Sequence, residues 1–140
     1  MLVDSHSKRA AARRAGRIGL LDRGLPMLMA AAAATCYLKD QLGIDAALDT
    51  VTCLASEVFP QAPEEASVLL LPSWDTSRSY AITSARDQDD WTGIYSDYQH
   101  ALHRVLLAQA ERDCYSTVID CENRSVHEVH AQVLTHTVLP

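Results

Sequence analysis

The chain has 140 residues, 48% hydrophobic and 21% charged, with a formal net charge of −6. This is the balance of a soluble globular protein long enough to bury a core without staples, and no internal repeat or low-complexity linker interrupts it. The charge is divided, because residues 1–23 hold six basic and two acidic groups while residues 24–140 hold six basic and sixteen acidic. A single domain over 1–140 is expected, with 1–23 a basic N-terminal arm and 24–140 an acidic globular body.

From Ser7 to Arg17 the arm is Ala- and Arg-rich, which favours helix. Arg9, Arg13 and Arg17 fall at i, i+4 and i+8, and with Lys8 and Arg14 they form a basic ridge that could meet nucleic acid, another chain or the acidic body. A sequence-reading helix should also offer base-edge groups, yet no Asn or Gln lies between Ser5 and Met29. The acidic body would repel a polyanion as well, so nucleic acid is the second choice of partner.

The uncharged run from Leu25 to Leu38 is too short to span a bilayer, and Thr35-Cys36 makes a poor cleavage site. It reads as a buried Ala-rich helix of a cytoplasmic protein with no membrane partner. Pro26 suits a first helical turn, and the helix is expected to run through Leu42 and stop at Gly43. Asp45 can cap the next helix, whose stripe is Leu48, Val51, Leu54, Ala55, Val58 and Phe59, before Pro60 ends it. With the arm these make about three helices, the last two an αα-hairpin.

Val68 to Leu71 and Tyr80 to Thr83 read as two strands of a hairpin whose loop carries Trp74, Asp75 and Arg78. The most regular helical pattern follows, from Asp87 to Asp113. Trp91, Ile94, Tyr95, Tyr98, Leu102, Val105 and Leu106 make its apolar stripe. Tyr115 to Ile119 reads as a third strand. The last segment carries two signals. Ser125-x-x-Glu128 has the form of a helix capping box, yet residues 128–137 largely alternate apolar and polar and are rich in β-branched side chains. Strand is preferred there. The expected fold is therefore α+β: a helical N-terminal region, then β-β-α-β-β with an antiparallel sheet packed on one long helix.

No stretch identifies a reaction. Gly19 to Gly24 has P-loop spacing but lacks the following Lys and Ser/Thr, and there is no G-x-S-x-G elbow. The four cysteines have no C-x-x-C pairing and are expected reduced and buried. His100-x-x-His103 sits on the polar face of the long helix; His127 and His130 would point to opposite faces of a strand. No metal site and no cofactor are expected, and Asn123-Arg124-Ser125 is a chance glycosylation match. The preferred role is non-enzymatic and protein-binding, of an inhibitor or immunity type, with a second copy of the chain also allowed as partner; a nucleic-acid-binding regulator using the Arg-rich arm is one alternative, and a small enzyme or metal-binding protein is the other. The candidate contact residues are Asp87, Asp89, Asp90 and Asp97, with His100, His103 and the isolated Leu107 on the same helix. Carboxylates on a rigid rod would complement a basic partner.

Overall fold

The computed structural model describes residues 11, 14, 15, 24–58, 66–71, 92–121 and 124–137. Among them are four helices and a two-stranded parallel sheet: α1 (Leu25–Lys39), α2 (Ile44–Val58), β1 (Val68–Leu71), α3 (Thr92–Glu111), β2 (Thr117–Asp120) and α4 (Val126–Thr137). Of the arm, Ala11, Arg14 and Ala15 are exposed, and Ala15 N–H donates to Ala11 O in one helical turn. Lys8, Arg9, Arg13 and Arg17 lie outside the described residues, as do Tyr80–Thr83, the loop with Trp74, and Asp87, Asp89, Asp90 and Trp91.

The core lies where α1, α2 and α3 meet. Ala30, Ala33 and Ala34 are fully buried on α1, so the alanine run lets the neighbouring helices approach closely. They meet Ala47, Leu48 and Val51 of α2 and Ala101, Val105 and Leu106 of α3. Tyr98 and Leu102 pack at the margin of this cluster, which follows the expected stripe on the long helix. On α2 the stripe is narrower than expected, since Leu54 falls on its flank and is exposed.

The α1–α2 connection also departs from expectation. The first helix ends at Lys39, with Asp40 N–H donating to Cys36 O, and Gln41 takes the left-handed conformation at φ 53. Gly43 instead stands just before α2, its carbonyl accepting from Ala47 N–H. The chain turns two residues earlier than a glycine stop signal implies, and a non-glycine residue bears the positive φ.

The sheet is the larger correction. The β-β-α-β-β antiparallel arrangement is not what forms. Val68 to Leu71 pairs in parallel with Thr117 to Asp120, register Val68↔Thr117 through Leu71↔Asp120. Parallel strands need a long crossover, and here α3 lies in it. Two serines fasten the entry to the ladder reciprocally: Ser67 N–H donates to Ser116 Oγ (3.1 Å) and Ser116 N–H to Ser67 Oγ (3.2 Å). Opposed residues share a face, yet Leu69 is buried while its partner Val118 is exposed, and Ile119 is buried while Leu70 is exposed. The cover is therefore diagonal. Leu69 joins the three-helix core on one side, and α4 touches β2.

The final segment is a helix, not the expected strand. Ser125 and Glu128 make the reciprocal cap: Ser125 N–H and Oγ–H each donate to Glu128 Oε2 at 2.7 Å, and Glu128 N–H donates to Ser125 Oγ at 3.3 Å. These bonds satisfy backbone donors that a helix start leaves orphaned, a gain that β-branched content cannot match at a segment with no described sheet neighbour. Half-buried Val129, Gln132 and Val133 follow helical spacing.

Candidate functional site

Helix α3 has one face in the core and one outside. Asp97, His100, Arg104, Leu107 and Glu111 succeed one another at alternating steps of three and four along the outer face. His103 lies beside that row and is half-buried. The structure thus brings together Asp97, His100, His103 and Leu107 of the expected contact residues. It adds Arg104, and also Glu111, which shares the polar face of the long helix but is not among the expected contact residues.

At its C-terminal end this row opens into a cleft of about 520 Å³ between α1, α2 and α3. Arg104, Leu107, Ala108 and Glu111 form one wall, Tyr37 of α1 a second, and Gly43, Ile44 and Asp45 at the start of α2 the third. Leu107 keeps 38% of its surface exposed because the N-terminal helices flank it without covering it. Its isolation on a polar face, noted in the sequence, marks this site. The helix pair that builds the opposite walls could not be placed from sequence.

Arg104 is held at the cleft's rim. Its Nη1 donates to Tyr37 Oη at 2.8 Å, and its guanidinium carbon stands 5.3 Å from the centre of the Tyr37 ring. Hydrogen bond and cation–π attraction together aim an exposed cation without neutralising it. The acidic side is steadied by Arg112, which donates to Asp49 Oδ1 (2.7 Å) and Asp45 Oδ1 (2.6 Å). Asp49 first and Asp45 second raise the guanidinium's pKa above its ordinary value. The fork links the end of α3 to the first turns of α2 at the surface. Asp45 is engaged in this pairing and does not act as the simple helix cap expected of it.

Also on α3 but outside the cleft's lining, Gln109 is buried, 1% exposed. Its Nε2 donates to Pro26 O (3.1 Å), and its Oε1 accepts from Tyr115 Oη–H (2.7 Å). One amide therefore joins the start of α1, the end of α3 and the approach to β2. Burial first, and then the neighbouring Cys114, push the Tyr115 hydroxyl up to about 12. Nothing in the residue pattern distinguishes Gln109 from a solvated glutamine; only packing does.

The four cysteines are free thiols, and none is buried as expected: Cys53 and Cys114 are exposed and Cys36 and Cys121 half-buried. Among the described residues no group of three or more His, Cys, Asp and Glu side chains could hold a metal ion, and no helix is long and apolar enough to cross a membrane. No family model, curated protein or solved structure matches this chain.

Proposed function

We propose that this chain is a protein-binding module that receives its partner on the outer face of α3 and in the adjoining cleft. The observation that carries this reading is Leu107, a half-exposed apolar side chain flanked by Ile44 and Ala108 and rimmed by Arg104, Asp45 and Glu111. An apolar centre within a charged rim is the anatomy of a protein interface, where a few buried anchors supply most of the energy and the rim supplies orientation. The excess of carboxylates in residues 24–140 favours a partner with a basic contact surface. Inhibition of that partner, by covering a surface built for phosphates, is the finer form of the proposal.

The test compares capture from cells by the parent chain and by Leu107→Asp, followed by calorimetric titration of each purified captured protein. A genuine partner loses roughly tenfold or more in affinity against the variant, while thermal unfolding of the variant is unchanged. Equal binding of every captured protein to both chains, or turnover of a small molecule that survives Leu107→Asp, overturns the reading.

A further inference from the structure

The geometry points to a second site on α4: we propose that His127 and His130 form a two-imidazole chelate for a late first-row divalent cation of the Ni²⁺ or Zn²⁺ class. Because the segment is a helix, the two residues stand at i and i+3, about 4.5 Å apart along the axis and on one face. Neighbouring positions of this kind bring Cβ atoms about 5–6 Å apart. From there two imidazoles can converge on one ion at ~2.0–2.1 Å each.

Three further observations support the pair. Both histidines are exposed, His127 on the side of α4 away from the half-buried Val129, Gln132 and Val133, and His130 at the margin of that side. An ion can therefore reach them without disturbing the contact with β2. Beside them on the outer face is Ala131, too small to occupy the space between two converging rings. The Ser125–Glu128 cap holds the first turn, where His127 sits, and its carboxylate offsets the positive end of the helix dipole that would otherwise oppose a cation. With two protein ligands the remaining coordination positions belong to water. Neutral imidazole suits this class of ion and discriminates against Mg²⁺ and Ca²⁺, which take oxygen ligands.

The experiment titrates the full-length chain with NiSO₄ by calorimetry and follows the histidine ring resonances by NMR. The expected result is one saturable site per chain, with the signals of His127 and His130 broadened together. His127→Ala and His130→Ala each weaken binding by roughly tenfold or more, since each removes the second, intramolecular contact. Combining His130→Ala with Ala131→His moves the pair to i and i+4 and restores binding, which no merely structural role of His130 would do. His100→Ala with His103→Ala leaves the site intact. The proposal is overturned by the absence of saturable Ni²⁺ binding in the millimolar range. It is equally overturned by unchanged affinity in the His127→Ala/His130→Ala chain, including the case where Cys53→Ser with Cys114→Ser removes the binding instead. Circular dichroism checks that each variant keeps its helices.

Discussion

The α1–α2–α3 body and the α4 segment are both helical, but they are held in different ways. In the body, apolar residues of three helices converge until Ala30, Ala33, Ala34, Ala47 and Val105 are closed to solvent. In α4 the start is held by a cap and the side by contact with β2, while Val126 and Leu134 remain 83% and 50% exposed. The lesson is that helix formation and core formation are separate events here. The capping bonds fix where α4 begins and contact with β2 supports the rest, whereas the body depends throughout on side chains from distant parts of the chain.

Breaking the body should cost most. Leu48→Ala removes one of the largest closed side chains and is expected to destabilise by about 2–5 kcal/mol, read from the urea midpoint at constant slope. An unchanged midpoint would mean that α2 does not belong to the cooperative unit. Next comes the buried amide. Gln109→Leu leaves Pro26 O and Tyr115 Oη without their partner and should cost about 1–3 kcal/mol. Adding Tyr115→Phe should recover part of the loss, because the stranded hydroxyl is then gone; a strictly additive double variant would argue against the network.

The same tyrosine sharpens the comparison through pH. Its folded-state value, about 12, stands above the ordinary 10. The unfolded chain therefore loses this proton first, and stability is fully present below pH 10 and declines as pH rises from 10 through 12. Tyr115→Phe should flatten that stretch of the stability profile. The smallest global effect belongs to α4. Ser125→Ala should cost about 1 kcal/mol of local helix stability, seen as faster amide exchange in 126–130 with no change in the body. The Glu128 carboxyl is held below its ordinary range by its hydrogen bonds with Ser125. Its contribution is therefore present above the ordinary Glu value and lost as pH falls through the depressed one. Protection of α4 amides, taken relative to their intrinsic exchange rate at each pH, should fall on acidification in the parent chain and be less responsive in Ser125→Ala.

The residue pattern by itself determined the helical body: Pro26 at the start of α1, the alanine run, and the stripe of Tyr98, Leu102, Val105 and Leu106 are periodic signals that need no long-range information. It also placed Asp97, His100 and His103 on the polar face of the long helix and marked Leu107 as out of place there, and this is how much of the candidate site was legible. Three things were left to tertiary structure. Strand pairing across the α3 crossover is non-local, so four-residue strands such as Val68–Leu71 carry no record of their partner. The fate of residues 126–137 hung on whether a sheet neighbour or the Ser125–Glu128 bonds would satisfy the backbone, and the alternation of Val129, Ala131 and Val133 was the weaker signal. That outcome put His127 and His130 on one face. Finally, Arg104, Glu111 and Gln109 became distinctive only when α1 and α2 closed against α3, because a polar side chain's role depends on which distant residues surround it.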